Sequence, residues 1–229
     1  MLCTEEIVRA NIRNRDGKRV YFLAEKDTLT PGARDFLTRE RIQILPAGDA
    51  ATPEFRLLNG GVLTEKPEHM THLHSNVLVP KTHPRISFRG AMDTLESELL
   101  WCQSAIETPF SKQVGEILDL ARTLLRCEVL DEPVKDRPLC GMTQQELRSR
   151  SHRPQDYYGQ PHFMPAATDG QAILLLNRCR CVCRAAELAA AHAFTDHDGR
   201  CTRTDILLAL NRMSSMLYIL MIQIKAMER

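Results

Sequence analysis

The stretch Arg178-Cys-Arg180-Cys-Val-Cys-Arg184-Ala-Ala-Glu187-Leu carries the densest chemistry in the sequence. Read as a helix, it projects Arg180 and Arg184 from one face, with Glu187 a further turn along. Their neighbours are Ala, Cys and Val, residue types that belong to a core. An arginine rising from such surroundings needs an anion, because a buried, unpaired charge is costly. Planar guanidinium forks suit phosphate. The same spacing also fits two solvated surface arginines, or a surface pair between Arg184 and Glu187. Asn211 and Ser215 stand one helical turn apart beside an apolar seam, where an amide and a hydroxyl can bind a ligand or join helices. Within Cys179-x-Cys181-x-Cys183 only the outer two share a helical face. A tetrahedral metal site from that run alone is therefore geometrically poor, and the thiols read as small residues of a helix seam. His69, His72, His74 and His83 leave three readings open: a metal site, a polar loop, or contact with an anion or nucleotide. There is no Walker loop, no G-x-G-x-x-G and no G-x-S-x-G.

These residues need long helices to position them, and the apolar periodicity supplies them. Phe88, Met92, Leu95, Leu99, Cys102 and Ile106 alternate steps of four and three, and Val114, Leu118, Ala121 and Leu125 continue the pattern after Pro109. Ile206, Leu210, Met213, Leu217, Leu220 and Ile224 repeat it near the C-terminus. Thr202-x-x-Asp205 predicts a capping box for that last helix, Asp169-Gly170 marks the start of another, and Thr143-x-x-Glu146 marks a short one between. The fold class expected is mainly α: a four- to five-helix bundle over residues 63–229, behind a small α+β domain at 1–62. In that smaller domain Thr4 caps a short helix, Asp16-Gly17 is a turn, and RVYFLA (19–24) is a strand. Thr30 and Pro31 open a helix, IQIL (42–45) and FRLLNGGVL (55–63) are strand-like, and 47–54 is loop. The segment 131–169, with Pro133, Pro138, Pro154, Pro161 and Pro165, reads as a covering loop or lid.

Composition narrows the function classes. With 229 residues, 30 Lys and Arg against 29 Asp and Glu give a net charge of +1, so there is no electrostatic case for a nucleic-acid or anionic-membrane partner. Aromatics at 5% lean away from a β-sandwich. No uninterrupted apolar run reaches membrane-spanning length, and the first residues have no secretion-signal core. Eight cysteines without such a signal read as reduced thiols in a cytoplasmic protein.

The order of motifs is similar to that of the ATP-dependent corrinoid (cob(I)alamin) adenosyltransferases. It runs Lys81 and Arg85, then Gly90-Ala-Met-Asp93-Thr-Leu95-Glu-Ser97, then Phe163-Met-Pro165, then Arg180-Cys-Val-Cys-Arg184-Ala-Ala-Glu187, then Asn211-Arg212-Met-Ser214. The lead-in THLHSNVLVPKTHPRISFRG, the element TLTPGARDFL and the ending LNRMSSMLYILM resemble the ethanolamine-utilisation branch. The resemblance implies that reduced cobalt(I) attacks the 5′ carbon of ATP, with Mg²⁺ and protein cations stabilising the leaving polyphosphate. It implies that Arg184 and Lys81 meet the phosphates and that Glu187 and Asn211 position the nucleotide. Arg180, also near ATP, would pair with Asp93 of a neighbouring subunit, and Phe163 would cover the lower face of the corrin. A homo-oligomer follows, a trimer favoured over a dimer, with a reductase supplying electrons to cobalt and a microcompartment as an address consistent with the branch. A non-catalytic ATP- or corrinoid-binding module is the alternative.

Several positions depart from the family pattern. The glycine-rich phosphate loop is replaced by EHMTHLHSN, leaving Thr71 and His72 as nucleotide contacts. Ala185 stands for the second of two adjacent arginines and Ser215 for an aspartate. The paired-cysteine motif of some branch members is missing between 60 and 85, so no structural zinc or iron is expected.

Overall fold

The computed structural model describes residues 2–15, 17–47 and 54–228, which form two compact units, 1–66 and 67–229. In the first, strand β1 (Leu2–Cys3) pairs in parallel with β4 (Thr28–Leu29). Strand β3 (Lys18–Leu23) lies between antiparallel β2 (Arg13–Arg15) and parallel β5 (Gln43–Pro46). Thr4 caps α1 (Glu5–Ala10), accepting from Ile7 N, and Thr30 caps α2 (Pro31–Arg39), accepting from Ala33 N. Cys3, Val8, Tyr21, Leu29, Ala33, Phe36, Leu37 and Ile42 are buried together as its core. A short hairpin, β6 (Phe55–Leu57) and β7 (Val62–Leu63), turns through Asn59-Gly60, where Gly60 adopts φ +87°. The expected turn residue Asp16 and most of the expected loop, 48–53, lie outside the described residues.

The second unit opens with the antiparallel hairpin β8 (Met70–His74) and β9 (Val77–Pro80). Four long helices follow: α3 (Pro84–Ala105), α4 (Phe110–Leu130), α7 (Gly170–Phe194) and α8 (Thr204–Met227). Helix α7 packs on α3 and α8, and α4 packs on the same two. Every residue of the α3 stripe is buried, as are Val114, Leu118 and Ala121 on α4 and all of the α8 stripe except half-buried Ile224. Each large apolar side chain so removed from water contributes about 1.5–3 kcal/mol before conformational entropy is counted. Helix α8 has the length and hydropathy of a membrane span, with a mean hydropathy of 1.4. Most of its apolar residues, from Ile206 to Ile222, are nevertheless buried in the bundle core, with Leu208 and Met227 exposed.

Two local expectations differ from the structure. The segment 131–169 is not a loose cover. Helices α5 (Gln144–His152) and α6 (Pro154–Tyr158) fold within it, α5 packs on α8, and Leu139, Met142 and Leu147 join the core. The Thr143–Glu146 capping box forms there with both reciprocal bonds. No such box opens α8: Thr202 Oγ1 donates to Phe194 O instead, and Asp205 accepts from Arg203 and from Val134 N. The tertiary partners outcompete the local cap because they lie within reach and Arg203 brings a charge. Asp169 likewise makes no cap bond to α7; its carboxylate takes Ala166 N and Lys225 Nζ.

Candidate functional site

Helices α7 and α8 bring Glu187 and Asn211 together. Asn211 Nδ2 donates to Glu187 Oε1 at 3.1 Å, and Arg212 Nη1 donates to Asn211 Oδ1 at 2.8 Å. The amide is thereby held from both ends, its orientation set by a carboxylate and a guanidinium. Burial and the nearby charge of Arg148 pull the Arg212 guanidinium below its usual value. Its Nε is buried without a hydrogen-bond partner among the described residues. Arg184 lies one turn before Glu187 on α7 and is exposed. Among the described residues it has no hydrogen bond or ion pair, and the surface pair with Glu187 does not form.

Arg184 therefore departs from the expectation of a guanidinium rising among core residues. The Ala and Cys beside it point elsewhere: Cys183 and Ala186 face the core, while Cys181 and Ala185 face outward with Arg184. In this chain alone no desolvation penalty forces an anion onto it. What remains is an available cation beside a fixed carboxamide and carboxylate.

Arg180 is placed differently. It is half-buried, its Nε and Nη2 lie 3.4 and 3.2 Å from Asn177 Oδ1, and its guanidinium sits 5.9 Å from the Tyr218 ring centroid. It shares a groove of about 640 Å³ with Phe163, His162, Asn177, Tyr218 and Met221. Half-buried Phe163 packs against the main core, whereas Met164 beside it is 89% exposed. The Phe163 segment is held at both ends, by His162 to α8 and by Asp169 to Lys225 at 2.8 Å. Lys225 and the Ala166 amide hold the Asp169 carboxyl below the usual carboxylate range. Asp93 is exposed on α3; its backbone carbonyl accepts from Ser97 Oγ at 2.9 Å, while its carboxylate has no hydrogen bond or ion pair among the described residues.

Thr71 and His72 lie on β8, and Lys81 follows β9. His72 Nδ1 lies 3.0 Å from Ser75 O, and Lys81 pairs with Glu68 at 3.0 Å. No hydrogen bond or ion pair among the described residues joins these three to Arg180, Arg184, Glu187 or Asn211. Arg89 fixes their hairpin. Its Nη2 donates to Leu73 O at 2.7 Å, its Nη1 to His72 O at 3.3 Å, and its Nε to Glu128 at 2.6 Å. Glu128 is fully buried and also takes Arg85 Nε at 2.6 Å. Sequence reasoning missed this triad, along with Arg212, His162 and Tyr218. The two arginines of the triad carried a signal, since Arg85 and Arg89 repeat the one-turn spacing of Arg180 and Arg184; Glu128 carried none.

The histidines do not converge. His83 caps α3, accepting from Arg85 N, and burial with Arg85 and Arg89 lowers its pKa. Among the described residues no group of three His, Cys, Asp or Glu could hold a metal ion. Cys179 and Cys183 are buried and donate to Glu98 O and Leu210 O, while Cys181 is exposed.

A cobalamin adenosyltransferase family model matches residues 62–224. The corrinoid adenosyltransferase EutT of Salmonella typhimurium is 30% identical over 96% of this chain and 90% of its own length. EutT of Escherichia coli K12 is 28% identical over the same shares. Among solved structures, a variant PduO-type ATP:corrinoid adenosyltransferase from Lactobacillus reuteri, complexed with cobalamin and ATP, is 18% identical with a TM-score of 0.48. That match covers 77% of this chain and 90% of the other. With the family model spanning residues 62–224 and 30% identity to the Salmonella typhimurium enzyme over 96% of its length, the chain belongs to the cobalamin adenosyltransferase family.

Proposed function

We propose that this protein is an ATP:corrinoid adenosyltransferase of the ethanolamine-utilisation branch. It transfers the 5′-deoxyadenosyl group of ATP to cob(I)alamin. The cobalt(I) electron pair attacks the 5′ carbon, the cobalt–carbon bond forms, and the carbon–oxygen bond to triphosphate breaks. Cobalt ends as cobalt(III), and the electron pair of the broken bond leaves on the triphosphate oxygen. The metal is itself the nucleophile, so the protein's task is to align the ribose and to stabilise the departing charge.

The observation that carries this reading is the Glu187–Asn211–Arg212 cluster with unpaired Arg184 one turn away. Glu187 and Asn211 position the nucleoside, and Arg184 meets the phosphates. Thr71, His72 and Lys81 supply further phosphate contacts from the hairpin. In a homo-oligomer, with a trimer the favoured form, they serve the site of a neighbouring copy. Arg180 Nη1 is free to meet Asp93 of that copy, as Nε and Nη2 are directed at Asn177. Mg²⁺ would enter on the triphosphate, with Glu187 the carboxylate beside it. Such a cation asks for only one or two protein carboxylates and neutralises phosphate charge. Phe163 covers the lower face of the corrin, and a separate one-electron reductase delivers the electron that makes cobalt(I). The place of action is the cytoplasm or a bacterial microcompartment, and residues 1–62 form a separate docking domain.

The test is turnover with ATP and chemically reduced cobalamin, followed by the absorption change on cobalt–carbon bond formation. Arg184→Ala should lower kcat/KM on the order of a hundredfold, as removal of a transition-state cation does, with the oligomer intact. Loss of assembly with wild-type specific activity in the remaining oligomer would assign Arg184 to structure. ATP binding without turnover by the wild type would leave a non-catalytic module.

A further inference from the structure

His162 directly precedes Phe163, and both line the groove assigned above to the corrinoid. An imidazole there is a hazard, since a neutral ring nitrogen is a strong ligand for cobalt. The ring's hydrogen bonds remove that hazard. His162 Nε2 lies 3.2 Å from His152 O, and a carbonyl oxygen only accepts, so Nε2 carries the proton. Nδ1 then holds the single lone pair, and it lies 2.9 Å from the Tyr218 hydroxyl, which must donate. The two rings also stack, with centroids 5.7 Å apart and planes 12° from parallel. Every ligating electron pair of this imidazole is spent inside the protein.

We infer that Tyr218 withholds the His162 imidazole from cobalt, so that the residue beside Phe163 cannot become a lower axial ligand. This inference rests on the adenosyltransferase reading and on the corrinoid lying in this groove. Its physical content is orbital. In cobalt(II) the unpaired electron occupies the orbital along the axial direction, and an axial nitrogen raises that orbital. The next electron, delivered by the reductase, must enter the same orbital, so a ligated imidazole impedes formation of cobalt(I). Tyr218 is a positioning residue in this scheme: it acts through His162 and is not itself required to touch cobalt. The arrangement also explains why a histidine is tolerated beside a residue whose task is to exclude ligands.

The probe is cob(II)inamide, which has no nucleotide base of its own, bound to the full chain with ATP and observed by electron paramagnetic resonance. Any nitrogen splitting of the cobalt lines then comes from the protein. Wild type should show none. Tyr218→Phe, which removes one hydroxyl, should show a nitrogen triplet, and Tyr218→Leu, which also removes the stacked ring, should show the same. Adding His162→Gln to either should abolish it. In parallel, the loss of rate in Tyr218→Phe should be roughly tenfold larger starting from cob(II)alamin and reductant than from preformed cob(I)alamin, the scale at which outer-shell partners tune a metal. A nitrogen triplet in the wild type that disappears in His162→Gln overturns the inference, as does a folded Tyr218→Phe with the wild-type spectrum. Wild-type turnover is scored separately. An active wild type with either result loses only the role of Tyr218, whereas no turnover and a cobinamide spectrum unchanged by protein removes the functional reading as well.

Discussion

Glu128→Gln tests whether the nucleotide hairpin is held by a buried ion triad. Glu128 sits in the last turn of α4 at 0% exposure, facing Arg85 and Arg89, whose side chains are 21% and 18% exposed. Glutamine keeps the shape, removes the charge and replaces one acceptor oxygen with a donor that faces a guanidinium. Breaking a buried pair by neutralising one partner costs roughly 3–5 kcal/mol. Both arginines retain some solvent, and each keeps a bond to a backbone carbonyl, Glu128 O for Arg85 and Leu73 O for Arg89. The expected loss is therefore about 3 kcal/mol, at the lower end of that range. For a unit of this size that is a fall of roughly 6–12 °C in Tm. Urea unfolding followed by far-ultraviolet circular dichroism reads the first quantity. The second readout is kinetic: Arg89 holds the strand bearing Thr71 and His72, so KM for ATP should rise by more than kcat falls. A loss below about 1 kcal/mol would refute the energetic argument. The full loss with an unchanged KM for ATP would refute the claim that this hairpin meets the nucleotide.

Phe163→Ala should slow adenosylation strongly when cobalt(II) must be reduced in the site and much less when cobalt(I) is supplied; equal losses in the two assays would count against a role on the corrin face. His83 has a pKa below its reference value of 6.5, held down first by burial and then by Arg85 and Arg89. The unfolded chain therefore takes up a proton before the folded one, so this contribution to stability is complete above 6.5 and is lost as pH falls through the lower, folded value. His83→Asn, which keeps a helix cap and cannot titrate, should flatten that part of the stability profile; an unchanged acid limb would exclude His83 as its source. Brief alkylation of the native protein at neutral pH should label Cys181 while sparing Cys179 and Cys183, the last with a pKa pushed up to about 12, chiefly by burial. Peptide mapping reads the outcome, and equal labelling of all three would show that α7 does not bury the inner pair.

The bundle was legible in the sequence because its information is periodic and local. Phe88 through Ile106 and Ile206 through Ile224 each mark one face of a helix, and burying that face is the dominant favourable term in folding. Thr4, Thr30 and Thr143 announced their helices for the same reason, since each cap is settled within four residues. The ordered motifs, with the pattern of departures at 68–76, at Ala185 and at Ser215, also belong to the sequence alone.

Only the tertiary structure decided which polar groups meet. Thr202-x-x-Asp205 looks like a cap, yet Asp205 is claimed by Arg203 and by the amide of Val134, far away in the chain. Glu128 gave no sign of lying against Arg85 and Arg89, nor His162 of surrendering its lone pair to Tyr218. Arg184 and Arg180 share a spacing but not an environment: one is exposed and unpaired, the other faces Asn177 in a groove. Apolar burial follows a repeat along one segment, whereas a hydrogen bond or ion pair depends on distances of a few tenths of an ångström between segments that only packing brings together.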